Sequence, residues 1–252
     1  MLTLTVRSVT AWAPGIESDD EWRAWARDPR PIAALGVPDA RFLPPLLRRR
    51  CTPLSKAMLQ VAFAACPDAV RSQVRTVFAS RHGENHESFP LFEMVVSGQP
   101  LSPMRFTHTV HNTQAALFSI AAGNRCAQSA IAGEGDTFGA GIQEALCHLE
   151  REPARPTLLV VGDVPVADFA LDLTGEPPWS FALALLLAAQ GEGRSVGYEL
   201  SPRDPAEPPE TRRAWPAALD FVRWWHGTEP RLELDGPRTR HRFTRLDAAS
   251  AA

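Results

Sequence analysis

The chain has 252 residues, 44% hydrophobic and 22% charged, which is the composition of a folded protein and enough length for one large α/β domain or at most two small ones. A formal net charge of -3 argues against the broad basic field of a nucleic-acid binder, so no nucleic-acid partner is expected. The four cysteines, Cys51, Cys66, Cys126 and Cys147, show no CxxC or metal-ligand spacing. They read as reduced thiols of a cytoplasmic protein with no metal and no cofactor.

Leu2, Leu4 and Val6 alternate with polar residues, so the chain opens on a strand that runs to about Trp12, not on a signal peptide. Asp19 to Arg27 is a short helix with Trp22, Trp25 and Ala26 on one face, ended by Pro29. Residues 28–50 form a Pro-rich connection closing on Arg48, Arg49 and Arg50, a solvated loop or a contact for an anionic partner. Thr52-Pro53 opens a helix through Ala65, with Thr as N-cap and Pro at the first helical position. Arg75 to Ser80 is a strand, followed by Arg81-His82-Gly83-Glu84 and a helix over Asn85 to Val96.

Thr107 to Ala122 reads as one long helix, apolar at Val110, Leu117 and Ile120. Gln128 to Ala132 is a short strand, and the turn Gly133–Gly135 feeds a helix from about Thr137 to Glu150. Gly139 and Gly141 near its start allow another backbone to come close. Thr157 to Val161 has no polar face and belongs at the centre of a sheet covered on both sides. Trp179 to Gln190 reads as a second buried strand that pairs with Ser195–Leu200 across Gly191–Gly193. Residues 201–213 are a Pro-rich loop, and a helix over Trp215 to His226 turns Leu219, Val222 and Trp225 inward. Two short strands near Arg231–Leu234 and Arg240–Leu246 precede a frayed tail. The longest apolar run, Phe181 to Ala189, is less than half the ~20 residues of a membrane helix, so no membrane span is expected.

Three stretches carry chemical possibilities. The strand, the Gly133-Glu134-Gly135-Asp136 turn and the following helix approach a dinucleotide fingerprint, but Phe138 replaces the third glycine and two carboxylates stand where a phosphate would sit. The same two carboxylates suit the N-terminus of a helix, as caps and as partners of its dipole. They are also the residues a hydrolase or decarboxylase would use, given a raised carboxyl pKa. Arg81-His82-Gly83-Glu84 after a strand resembles the histidine-phosphatase signature. It lies 80 residues into the chain without a second His–Arg motif, and the plainer reading pairs Arg81 with Glu84 in a loop. Cys126 or Cys147 with His111 or His148 could make a thiol nucleophile, but Cys147 sits beside an apolar stripe and reads as buried.

The segment from Ser102 to Asp163 resembles the core of a β-ketoacyl synthase of the thiolase-like superfamily. The resemblance is carried by SPMRFTHTVHNTQAALFSIAAG, the strand AQSAIAG, the elbow, the helix TFGAGIQEAL and the strand LLVVGDVP. It implies an α/β fold, half of a thiolase-like fold with a mixed sheet covered by helices. One ketosynthase-like N-terminal domain would span 1–252, with a core over 1–200 and a C-terminal loop, helix and short strands over 201–252. An ungapped count from Asn112 places the ketosynthase cysteine at Gly135, flanked by Glu134 and Asp136, so no catalytic residue is expected there. The second-half histidines of that family have no counterpart motif; His226 and His241 match none.

The resemblance is closest to short ketosynthase-like proteins of chain-length-factor type from aryl-polyene and xanthomonadin-type pigment pathways, a likeness that also absorbs the SerArgHisGlyGlu run. It implies a non-catalytic subunit paired with a full-length β-ketoacyl synthase as a heterodimer, with an acyl carrier protein reached through the complex. Docking would use Gln128, Ser129, Ala130 and Ile131. Phe106, His108, His111, Asn112, Leu117 and Phe138 would line the interface or the acyl tunnel. The face left bare by the absent second half would be covered by a partner or by the chain after residue 200, with Trp215, Trp224 and Trp225.

Overall fold

A computed structural model describes residues 1–167, 170, 179–204 and 214–246. The strands are β1 (Leu2–Trp12), β2 (Arg75–Ala79), β3 (Gln128–Ile131), β4 (Thr157–Asp163), β5 (Phe181–Ala188), β6 (Arg194–Pro202), β7 (Arg231–Asp235) and β8 (Thr239–Arg245). They form one mixed sheet in the order β3-β2-β4-β5-β1-β6-β8-β7. β3, β2 and β4 run parallel, and the other pairs are antiparallel. The helices are α1 (Asp19–Arg27), α2 (Pro45–Arg48), α3 (Pro53–Ala65), α4 (Asp68–Arg71), α5 (Asn85–Val96), α6 (Pro103–Phe106), α7 (Thr113–Ala122), α8 (Thr137–Arg151) and α9 (Ala217–His226).

The apolar strands explain the layering. Both faces of β4 and β5 are buried, as a central position demands. Phe78, Leu158, Val160 and Ala184 point to one face, under α3 and α7. Val77, Leu159, Leu183 and Leu185 point to the other, where α8, α9 and α1 contribute Ile142, Phe221 and Trp22. Thr52 starts α3 as read from sequence: its hydroxyl accepts from the Ser55 N–H at 3.0 Å, and Pro53 is the first helical residue.

Two expectations are corrected here. β5 does not pair with β6. β1 lies between them, with Thr5 opposite Ala188 on one side and Leu2 opposite Tyr198 on the other. The Gly191–Gly193 link therefore crosses β1 at Thr5–Val6. Gly193 takes φ 138°, and a Cβ there would come within 2.6 Å of the Val6 carbonyl oxygen. The helix expected over 107–122 is also broken: α6 ends at Phe106 and α7 begins at Thr113. In between, Thr109 and Thr113 donate their hydroxyls to the carbonyls of Phe106 and Val110, local bonds that compete with the helical ladder. Val110 and Ile120 are exposed; Leu117 is in the core.

The chain's own C-terminal part packs over α8. Phe138 on α8 packs 5.4 Å from Phe221 of α9 and 6.2 Å from Phe243 of β8, centroid to centroid. Trp224 and Trp225 lie against Phe221, and Trp215 against Trp25 and Trp179. Two glycines show that α8 is enclosed on opposite sides. A Cβ at Gly141 would meet Leu159 and Ala79 of the sheet, whereas a Cβ at Gly139 would overlap His241 of β8. Positions two residues apart on a helix are separated by about 200° around its axis. Further along α8, Gln143, Cys147 and Arg151 border an open groove of about 830 Å³ with Leu2 and Leu200 on the far wall, so Cys147 is exposed and not buried. The expected loop beyond residue 204 and the tail after 246 lie outside the described residues. No described helix is long and apolar enough to cross a membrane.

Candidate functional site: an elbow closed by the C-terminal hairpin

β3 delivers the chain into a single 3-10 turn, Glu134–Asp136, and α8 follows at Thr137. The Thr137 hydroxyl accepts from the Gly133 N–H at 3.1 Å and donates to the Glu134 carbonyl at 2.8 Å, which fixes the turn. The carboxylates do not cap the helix as expected: α8 has no side-chain cap bond. Asp136 is drawn outward instead, because two donors reach it from β8. The Thr239 hydroxyl donates to it at 2.5 Å, and His241 Nε2 lies 3.0 Å away. His241 is fully buried, and its Nδ1 faces the Tyr198 hydroxyl at 2.8 Å.

Burial and the charge of Asp136 push the Tyr198 hydroxyl well above its ordinary pKa. The Asp136 carboxylate can only accept, so His241 Nε2–H donates to it, and Nδ1 of the neutral ring accepts from the Tyr198 hydroxyl. The turn between β7 and β8 lies directly over this network, since a Cβ at Gly236 would overlap the Asp136 carboxylate. The nearest atom to a Cβ built on Gly135 is Pro237 Cγ, at 4.0 Å. The elbow thus holds a buried Asp–His–Tyr chain that contains no nucleophile, closed by a hairpin. Sequence reasoning assigned His241 no role. The signals available were a glycine inside a helix beside an acid, and the chain's single tyrosine.

The Arg81–Glu84 loop is built into the same end of the parallel strands. Asp163 at the end of β4 accepts from the Ser80 hydroxyl at 2.7 Å and from the N–H groups of Arg81 and His82 at 3.1 and 3.0 Å. Burial raises the Asp163 carboxyl and lowers the His82 imidazole. Glu84 is buried and accepts from Thr52, Ser55 and Gln114 at 2.8, 2.9 and 2.6 Å, joining α3 to α7. Burial lifts its carboxyl above the ordinary value against those three donors. The motif therefore has a structural use that calls for no phosphate.

The expected interface residues separate into two groups. Phe106 and Asn112 are exposed, and His108 and His111 are half-buried. His111 Nε2 meets the carbonyl of Ile131 at 3.0 Å and so ties α7 to the last residue of β3. Leu117 and Phe138 belong instead to the two cores, where they pack under and over the sheet, and neither lines a surface. Gln128, Ser129, Ala130 and Ile131 form the edge strand of the sheet and are at least partly exposed. Ser129 donates to Glu144 at 2.6 Å, next to the buried His148. Phe92, Val95, Val96, Phe106, Val110 and Ile120 are exposed on the α5–α7 region, and α7 packs on β3. Cys126, just before β3, has the Arg155 guanidinium 3.0 Å from its sulfur. Among the described residues no group of three His, Cys, Asp or Glu side chains converges.

The family model described as "Beta-ketoacyl synthase, N-terminal domain" matches residues 22–244. The chain belongs to that family. Its likeness to solved ketosynthases agrees. The structure of a ketosynthase (ApeO) in complex with its chain length factor (ApeC) from Xenorhabdus doucetiae contains a similar chain, with TM-score 0.80 and 25% identity over 97% of this chain and 100% of that one. The ishigamide ketosynthase/chain length factor superposes with TM-score 0.63 at 14% identity, over 79% of this chain and 67% of that chain. A β-ketoacyl synthase from Burkholderia phymatum superposes with TM-score 0.64 at 13% identity, over 82% and 66%. The last two support the thiolase-like ketosynthase fold alone. Comparison with curated protein sequences gives no match.

Proposed function

We propose that this ketosynthase-like chain is a non-catalytic subunit of chain-length-factor type. It pairs with an active, full-length β-ketoacyl synthase as a heterodimer and shapes the tunnel for the growing acyl chain. Residues 1–252 act as one domain, the carrier protein is reached through the complex, and the product is a polyene pigment of the aryl-polyene or xanthomonadin type. The observation that carries the reading is the contrast between the two sheet edges. β7, at one edge, presents Arg231, Glu233 and Asp235, the charges by which a free edge avoids pairing. β3, at the other, has no charge and lies beside exposed apolar side chains of α5–α7, an edge suited to strand addition. The elbow lacks a nucleophile, and its acid is held by His241 and Thr239. The similar chain in the ApeO–ApeC structure, covered over its whole length, supports the pairing.

The test is deletion in the producing organism, with the ketosynthase retained. The polyene absorption band should shift or vanish, and return with the wild-type gene. An unchanged band would refute the reading.

A further inference from the structure

The residue at the tip of the elbow is in an unexpected conformation. Glu134 takes φ 52°, in the left-handed region, although both neighbours are glycines and neither needs such an angle. Glycine at 134 would hold the same turn without strain. The side chain is exposed and has no hydrogen-bond or ionic partner among the described residues, whereas the Asp136 carboxylate is fully engaged. The N-terminal dipole of α8 favours an acid here, but no side chain among the described residues holds this one in place.

Its surroundings point outward. Glu134 stands three residues beyond the end of β3, the uncharged free edge. Backbone hydrogen bonds attract an added strand but fix its register poorly, and a slip of one residue turns every side chain to the other face. A single charge beyond the strand end removes that ambiguity, because only one register brings it opposite a cation. We infer that Glu134 is the recognition charge of the β3 docking edge, and that the partner subunit offers it an arginine or lysine. The inference rests on the docking reading above and adds the chemistry of the partner's complementary group.

The test uses the full chain and, as probe, the full-length β-ketoacyl synthase of the same organism, with variants Glu134→Gly and Glu134→Gln. Glu134→Gly relieves the strained φ and should raise the thermal midpoint of the isolated chain by about 2–4 °C. Both variants should bind the ketosynthase about tenfold more weakly at low salt, and their affinity should depend less on salt than that of the wild type. Greater stability with weaker binding is an outcome that a merely structural residue cannot give. If the wild type binds and both variants bind equally well, the inference fails and the docking reading stands. If the wild type forms no complex, both fall.

Discussion

Replacing His241 by alanine tests whether the C-terminal hairpin closes the elbow. The imidazole is fully buried and is the shared partner of Asp136, at 3.0 Å, and Tyr198, at 2.8 Å. Alanine removes a buried ring and leaves a carboxylate and a phenol facing a void. Leaving a buried polar group unpaired costs about 1–3 kcal/mol, and Asp136 keeps only Thr239. The lost packing adds a further few kcal/mol. A total of about 3–5 kcal/mol follows, which lowers the midpoint of a chain of this size by roughly 10 °C. The assay is thermal unfolding followed by circular dichroism, with hydrogen exchange read along α8 and β8. Protection should fall first in the hairpin and the N-terminal turns of α8, the segments His241 joins. A midpoint within about 2 °C of wild type, or unchanged protection at α8, would refute the argument that the hairpin closes the elbow.

Gly139→Ala tests the same contact from the helix side. Alanine normally favours a helix over glycine by about 1 kcal/mol, but here its Cβ would overlap His241 and Asp136, so the variant should be destabilised. Gly135→Ala, with only Pro237 Cγ at 4.0 Å, should unfold close to wild type; equal midpoints for the two variants would contradict the geometry. Glu84→Gln tests the buried carboxyl. Its pKa is raised by burial, so the folded state holds the proton more tightly and the native Glu84 loses stability as pH rises above about 4.5. Denaturant titrations should show Glu84→Gln gaining on wild type through that range, and parallel pH profiles would sink the assignment.

Much of the fold is legible because its signals are local. The alternation in β1, the unbroken apolar runs of β4 and β5 and the Thr52-Pro53 cap are each set within a few residues. What escaped depends on distant partners. Nothing near β6 indicates that β1 enters between it and β5, because the insertion is decided by which strand satisfies both edges of β5. The elbow acid reads as a helix cap because caps are local, whereas its actual donors lie more than 100 residues away. Leu117 and Phe138 carried over from the family resemblance as lining residues, but apolar side chains at helical spacing serve a core as well as a tunnel, and here they fill the core. His111, which the resemblance assigns to the interface or the tunnel, bonds the Ile131 carbonyl across 20 residues, a contact no local pattern announces.

The central claim is that the uncharged β3 edge holds a full-length ketosynthase. Native mass spectrometry of the co-expressed pair tests it most directly, with Ala130→Lys as the comparison. A lysine at an edge strand blocks pairing with little effect on the fold. The account predicts a one-to-one complex for the wild type and free chains for Ala130→Lys, both with the same thermal midpoint when isolated. Free chains for the wild type, or an equally populated complex for Ala130→Lys, would contradict it.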